Sequence, residues 1–291
     1  MKQLKLESAM LAGACAVLFS GAAQALDVTY IPRLEVGMES YELKVDGVFK
    51  VGASGSVLSS SAIEFDDTVP IFSGGITIVA DRFYIDFSGQ ESFEGDDDWS
   101  RILSDTGGPV ALSEVNGSVD FDRYEYAVAL GYLVTDSLSV FLGYRESKSD
   151  VEFFSVISIP QFGDVGTAKV GMDFEEDGFF VGASYGWHVN NSTFNGVLSG
   201  SVAFASLDGD LKQNSVMTTG PFGPDAVPDD SSKGDTLGVK LGLTWKGITQ
   251  VDKLTYTVGV NGYKYEFDAD ADDPDITETV VNFKLGLAYV F

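Results

Sequence analysis

Charged side chains recur at every second position of several otherwise apolar segments. In a β-strand this spacing puts them on one face, opposite the apolar side chains. If the strands closed into a barrel, the charges would line its lumen. They would then either pair with one another and fill the lumen, because unpaired buried charge is costly, or line a water-filled pore and set its ion selectivity. These candidate lumen residues are Arg33, Glu35, Glu39, Asp86, Glu125, Arg145, Lys240, Lys246 and Lys284.

The single histidine, His188, restricts the catalytic chemistry open to the chain. A serine nucleophile needs a base within hydrogen-bond reach, and only His188 provides an imidazole. It directly precedes a predicted turn at Asn190-Asn191, and we interpret it as a lumen or turn residue. We therefore expect no enzyme activity and no catalytic residues.

Acidic segments at 94–98, 173–177 and 268–275 are the candidate cation sites. Asp268, Asp270 and Asp272 have the spacing that opens an EF-hand loop. Asp273, however, stands where that loop needs glycine, and Thr279 where it needs a bidentate glutamate. We expect no cofactor and no dedicated metal site. Weak Ca²⁺ or Mg²⁺ binding is the alternative to a solvated acidic fringe.

The composition limits the class of protein. The 291 residues carry a formal net charge of −26, and the sequence has no basic cluster, so nucleic-acid binding is not expected. Residues 1–25 have the features of a Sec signal peptide: Lys2 and Lys5, an apolar stretch, and the cleavage site Ala23-Gln24-Ala25. No segment after it is apolar enough for a transmembrane helix, so any membrane crossing is predicted to use strands.

The last fifteen residues carry the strongest fold signal. In TETVVNFKLGLAYVF the large apolar residues alternate with small or polar ones, and the segment ends on the aromatic pair Tyr289 and Phe291. Together with the export signal, this segment resembles the terminal strand of bacterial outer-membrane β-barrels. The resemblance implies that Tyr289 and Phe291 form the signal read by the barrel-assembly machinery.

Nine further alternating segments precede this strand. Short turns are predicted at 80–82, 135–137 and 190–191, and five longer, largely acidic loops separate the hairpins. In the ninth segment the alternation slips at Asn261-Gly262, which we interpret as a β-bulge. The predicted strands span 30–41, 69–79, 83–93, 119–134, 138–148, 179–188, 192–205, 235–245 and 254–267.

Even strand number, short periplasmic turns and long outer loops are the plan of outer-membrane barrels. An aromatic girdle is predicted at the periplasmic ends: Tyr132, Tyr185, Trp187, Trp245 and Tyr289. The strand number also resembles that of the omptin proteases, which need a His–Asp pair among their outer loops. Because His188 falls at a predicted periplasmic turn, that resemblance ends at the strand number.

The sequence thus predicts an all-β, transmembrane, antiparallel up-and-down barrel of about ten strands (range 8–12), with residues 26–291 as a single domain. We expect a monomer exported by the Sec route to the Gram-negative outer membrane, in contact with membrane lipid and lipopolysaccharide. The predicted function is a narrow porin-like channel with mild cation preference. The alternative is a closed-lumen surface protein that acts through its acidic outer loops.

Overall fold

The computed structural model describes residues 28–46, 49–51, 56–58, 63–93, 95–103, 113–159, 163–190, 195–219, 224–269 and 275–291. The predicted signal peptide and the turn at Asn191 lie outside these residues. All regular elements in the described part are β-strands. Among the described residues no helix is long and apolar enough to cross a membrane.

The strands form a closed, ten-stranded antiparallel barrel. Each strand pairs with its chain neighbour, and the barrel closes where β1 meets the last strand, with Arg33 opposite Ala288 and Asp46 opposite Asp275. The strands are β1 (Val28–Asp46), β2 (Phe49–Val51), β3 (Ser56–Leu58), β4 (Ile63–Ala80), β5 (Phe83–Ser92), β6 (Gly95–Leu103), β7 (Ser113–Leu133), β8 (Leu138–Ile159), β9 (Gly163–Asn190), β10 (Asn195–Thr219), β11 (Pro224–Ile248), β12 (Leu254–Ala269) and β13 (Asp275–Tyr289).

Thirteen strands make ten wall positions for two reasons. The short β2 and β3 pair only with each other, as a hairpin between β1 and β4. The strands β5 and β6 both pair with β7 and form one interrupted wall strand. The predicted strand number is therefore confirmed.

The lower part of the wall carries an apolar outer face, which we call the membrane band. Its large apolar side chains are exposed in the isolated chain, and Leu34, Phe179 and Leu241 are more than half exposed. Aromatic pairs mark both edges: Tyr124 with Tyr126 above, and Tyr185 with Trp187 below. Phe179 and Trp187 delimit the band on β9 at a separation of eight residues, about 26 Å along a strand. A tilted strand of this length matches the hydrocarbon thickness that such barrels span.

Most wall strands continue well beyond the membrane band, and we call this upper part of the wall the extension. The sequence predicted loops here, at 94–117, 149–176 and 207–234, and that prediction is wrong for most of these residues. Strand β8 runs on to Ile159, β9 begins at Gly163, and β10 and β11 stay paired up to Thr218 and Pro224. The long outer loops are thus largely a taller barrel wall.

The inward and outward faces exchange their chemistry at the base of the extension. On β1, Val36 and Met38 are exposed in the band, whereas Tyr41 and Leu43 are buried in the lumen above it. The outward residues of the extension, such as Glu42, are polar. The strand itself does not change its phase; the large apolar side chains move from its outer face to its lumen face.

The predicted bulge at Asn261-Gly262 is corrected by the same exchange. The pairing of β12 with β11 and with β13 runs through both residues without a shift. Val260 is exposed on the band side, whereas Tyr263 is buried inside. The alternation slips because the apolar residues of β12 point outward up to Val260 and into the lumen from Tyr263 onward.

The lumen of the extension is filled by a hydrophobic cluster, which we call the upper core. Its rings pack directly: Tyr41 stacks on Phe121 with centroids 4.3 Å apart, and Phe174 meets Phe267 edge-on at 5.5 Å. The buried members are Tyr41, Leu43, Phe65, Val69, Val119, Phe121, Val151, Phe153, Met172, Phe174, Leu207, Leu211, Tyr263, Tyr265, Phe267, Ile276 and Val280.

Candidate functional site in the barrel lumen

A layer of charged side chains, most of them buried, lies in the lumen next to the upper core. We call it the charged layer and define it as Glu39, Arg123, Glu125, Arg145, Glu176, Lys240, Glu278 and Lys284. These residues belong to six strands, β1, β7, β8, β9, β11 and β13, whose inward positions meet at this height. The layer balances four carboxylates against four cationic groups.

Arg123 is the centre of the charged layer. Its Nε lies 3.3 Å from Glu278 Oε1, its Nη2 lies 3.3 Å from Glu125 Oε2, and its Nη1 lies 3.5 Å from Glu39 Oε2. The Arg123 side chain is 1% exposed, and that of Glu39 is 0% exposed. Three carboxylates from three strands thus surround one guanidinium that has no access to solvent.

Arg145 forms a second centre beside the first. Its Nη2 lies 3.5 Å from Glu176 Oε2 and donates a hydrogen bond of 2.9 Å to Ser147 Oγ. Its guanidinium carbon lies 4.2 Å from the ring centroid of Tyr265, within the range of a cation–π contact. Its Nε lies 3.7 Å from Glu125 Oε2, so Glu125 joins the two arginines.

Neutral side chains complete the network. Tyr263 donates a hydrogen bond of 3.2 Å to Glu125, and Lys240 Nζ lies 3.2 Å from the other oxygen of that carboxylate. Gln90 donates to Glu39 and accepts a 3.3 Å hydrogen bond from Asn282. Aromatic rings and amides therefore fill the space between the charges and connect β5 and β12 to the layer.

The lower lumen holds a separate ion pair. The terminal nitrogens Nη1 and Nη2 of Arg33 donate to the Asp86 carboxylate at 2.6 and 2.8 Å. The Thr77 hydroxyl donates to the same carboxylate at 2.5 Å. Glu35 accepts hydrogen bonds from Ser73 at 3.2 Å and from Thr257 at 3.3 Å. These groups are partly exposed, in contrast to Arg123 and Arg145 of the charged layer.

Eight of the nine candidate lumen residues fall at these two levels. Glu39, Glu125, Arg145, Lys240 and Lys284 lie in the charged layer, and Arg33, Glu35 and Asp86 lie below it. Across the seam between β1 and β13, Lys284 lies opposite Gly37, and Glu35 is among its electrostatic neighbours.

Three network members were missed in the sequence: Arg123, Glu176 and Glu278. Arg123 lies within the predicted strand 119–134, two residues before Glu125, so the alternation that places Glu125 in the lumen also places Arg123 there. Glu176 lies in the acidic segment 173–177, which the sequence pattern predicts to be part of a loop. Glu278 opens the terminal segment and shares its inward face with Asn282 and Lys284.

The remaining sequence candidates lie at the end of the barrel opposite the extension. Tyr289 and Phe291 are exposed, with ring centroids 4.7 Å apart, and the Phe291 amide donates to the Tyr30 carbonyl oxygen at 2.9 Å. His188 is exposed near the end of β9. Within the described ranges, no group of three or more histidine, cysteine or acidic residues is arranged to hold a metal ion.

Outside the membrane band, two aspartates face each other on the outer wall of the extension. Asp150 on β8 pairs in register with Asp173 on β9. Partial burial, together with the charge of Asp173, raises the pKa of Asp150 to about 6. Next to them, Lys148 Nζ lies 3.4 Å from Asp173 and 3.3 Å from Glu175.

Solved structures of outer-membrane proteins resemble this barrel. The outer membrane protease OmpT from Escherichia coli matches with a TM-score of 0.60 at 11% identity, over 92% of this chain and 98% of that one. A FadL homologue from Pseudomonas aeruginosa matches with a TM-score of 0.33 at 11% identity, over 90% of both chains. The translocator domain of autotransporter NalP from Neisseria meningitidis matches with a TM-score of 0.36 at 10% identity, over 97% of this chain and 95% of that one.

No protein-family model matches the chain, and no curated protein matches it. The similarity to OmpT at 11% identity concerns the fold, and OmpT's activity is not transferred with it. The closed ten-stranded wall and this similarity together lead to one conclusion: the chain has the fold of the outer-membrane β-barrels.

Proposed function

We propose that the protein is an outer-membrane β-barrel with a closed lumen, and that it acts at the cell surface through its extension. The observation that carries the proposal is the burial of Arg123 among Glu39, Glu125 and Glu278. A conducting pore keeps its charged groups in contact with water. This arginine is 1% exposed and lies beneath the apolar upper core.

The barrel size supports a filled lumen. Barrels of about eight strands are filled by side chains, whereas sixteen or more strands leave an aqueous channel. Here ten strands enclose two consecutive filled layers, one charged and one apolar. An ion crossing the membrane would have to break the charged layer and then pass a hydrophobic cluster, and both steps are costly.

The extension supports the surface role. Its outward residues are largely acidic, whereas its inward residues form the upper core. This is the pattern of a soluble barrel, so the extension stands in water, above the lipid. Its outer wall is then the part of the molecule that is presented to lipopolysaccharide or to other macromolecules.

The competing function is the narrow, cation-preferring channel expected from the alternating charges. Partial exposure of Arg33 and Asp86 favours it, because these residues give the lower lumen a polar, accessible lining. In the closed-lumen account they line a blind vestibule on the periplasmic side, which ends at the charged layer.

Uptake of small solutes by proteoliposomes tests the proposal. We expect vesicles that contain the refolded protein to swell in isotonic glycine or arabinose no faster than protein-free vesicles. A general porin reconstituted in the same lipid is the positive control. Swelling that increases with the amount of folded protein would contradict the closed lumen.

A further inference from the structure

The wall of the extension is interrupted between β4 and β6. Below the interruption, β4 pairs with β5 up to Ile71 and Ser92, and the Phe93 amide then donates to the Pro70 carbonyl oxygen at 2.9 Å. Above it, residues 63–70 pair with β1, and β6 pairs with β7. No ladder joins these two stretches within the described strands. The edge of residues 63–70 and the edge of β6 therefore face each other without pairing, and we call this opening in the hydrogen-bonded wall the gap.

A one-residue insertion explains why the edges part. Glu91 lies opposite Tyr124, and Gly95 lies opposite Phe121. Between these two pairs the β5–β6 strand advances by four residues while β7 advances by three. This is the count of a β-bulge, which bends a strand and ends pairing on its other side. The bulge directs β6 along β7 and away from β4.

The hydrogen-bonding groups of β4 that face the gap can be identified. The Pro70 carbonyl points to this side, and backbone groups alternate sides along a strand. Thr68, Asp66 and Glu64 therefore direct their amides and carbonyls into the gap. The Thr68 amide agrees with this assignment, because it donates to Asp67 Oδ1 at 2.6 Å in place of a neighbouring strand.

The gap has a strongly acidic sequence. Its β4 side contains Glu64, Asp66 and Asp67, and its β6 side contains three consecutive aspartates, Asp96 to Asp98, with Arg101 as the only basic residue in either stretch. A second copy of this edge would be repelled, as would the phosphates of lipopolysaccharide. Charge complementarity favours a basic occupant.

We propose that the gap between β4 and β6 binds a lysine- or arginine-rich segment of another protein in extended conformation. The segment adds to the β4 edge through main-chain hydrogen bonds, as in other cases of strand addition, and its basic side chains complement the acidic sequence of the two strands. This inference rests on the proposed surface role and names the chemistry of the partner.

Two labelled peptides and two protein variants test the proposal. The probe alternates lysine and valine over eight residues, and its control has the same charge but carries proline in place of every second valine. Fluorescence anisotropy with the refolded full-length protein measures both dissociation constants. We expect the proline peptide to bind at least about tenfold more weakly, because it cannot complete the ladder.

The protein variants separate main-chain pairing from charge attraction. Thr68→Pro removes an amide that faces the gap, at a kind of edge position that tolerates proline, whereas Thr68→Ala keeps it. We expect Thr68→Pro to weaken binding of the lysine–valine peptide about tenfold and Thr68→Ala to leave it unchanged. Heat-modifiable migration on gels verifies that both variants fold. If Thr68→Pro fails to fold, the comparison of the two peptides on the wild-type protein tests main-chain pairing by itself.

Equal binding of the two peptides, unchanged binding by folded Thr68→Pro, or no binding to the wild type would each overturn the proposal. The result is independent of the lumen. A silent barrel that does not bind the peptide contradicts only this inference, and a conducting barrel that does bind it contradicts only the closed lumen.

Discussion

Arg123 Nε lies 3.3 Å from Glu278 Oε1 and thereby joins β7 to β13 across the lumen, with both side chains 1% exposed. The two residues are 155 positions apart in the chain. Their contact requires that the barrel is closed and that this level of the lumen is filled. It therefore links the closure of the fold to the proposed lack of conductance.

Arg123→Met is expected to destabilise the protein by about 3–5 kcal/mol, because it leaves Glu39 and Glu278 as uncompensated buried carboxylates. Urea-induced unfolding in detergent, followed by tryptophan fluorescence, measures the loss. The matched control is Lys264→Met, which removes the exposed ion pair with Glu266 and should cost about 0–1 kcal/mol. Equal effects of the two substitutions would contradict the buried network.

Phe121→Ala tests the upper core. The Phe121 ring stacks on Tyr41 and lies 5.7 Å from the ring of Phe65, so its truncation should cost about 3–5 kcal/mol. Phe179→Ala is the matched control, because Phe179 is 69% exposed on the outer face of the membrane band. In the same urea titration the control should be clearly less destabilised. A smaller loss for Phe121→Ala than for Phe179→Ala would rule out a packed core in the extension.

Gly238→Ala tests how tightly the lumen aromatics pack on the wall. A Cβ at Gly238 would lie 1.9 Å from Tyr265 Cδ1, so the ring must move; we expect a loss of about 1–3 kcal/mol in urea unfolding. Gly262→Ala is the control, since the nearest atom to its Cβ would be 3.8 Å away. The double change Gly238→Ala with Tyr265→Ala should cost less than the two single changes added together. Strict additivity would show that the residues are not in contact.

Asp150 is expected to give stability a pH dependence. Burial and the charge of Asp173 raise its folded-state pKa from the ordinary 3.8 to about 6. The folded protein therefore binds the proton more tightly than the unfolded chain does, and stability falls as the pH rises from about 4 to about 6. Asp150→Asn should flatten this slope and stabilise the protein above pH 6. An identical slope in wild type and variant, in unfolding titrations at several pH values, would refute the pairing.

The membrane band was predictable from sequence because lipid acts on one face of a strand. Leu237 and Leu241 lie on the outer face of β11, while Lys240 between them points inward, and this period of two is visible in the sequence. The turn at 80–82 was predictable because it separates two alternating segments, and Asp81 there adopts a positive φ of 54°, a conformation that Asp tolerates better than most residues. Local chemistry suffices in both cases.

The extension was not predictable by the same rule. Its apolar residues occupy the opposite phase, so Tyr263 and Tyr265 break the alternation that identifies β12 in the band. Its acidic outward residues, such as Asp173 and Glu175, are also typical of loops. A period-two pattern does not show what surrounds each face of a strand, and the surroundings of a face change along the strand.

The charged layer could be predicted only in part. Alternation places Glu125 and Lys240 inside, but their contact joins residues 115 positions apart. Which charges meet depends on the stagger of all strands between them. Registers of this kind are set by the closed barrel as a whole.

Single-channel recording in planar bilayers tests the closed lumen most directly. The folded wild-type protein is predicted to insert without discrete conductance steps in KCl. The comparison is the double variant Arg123→Ala with Phe121→Ala, which removes a large side chain from each of the two filled layers. Its lumen should be open, and we expect it to conduct. Steady wild-type steps whose reversal potential in a KCl gradient shifts on Glu125→Gln would contradict the account and identify the charged layer as the lining of a pore.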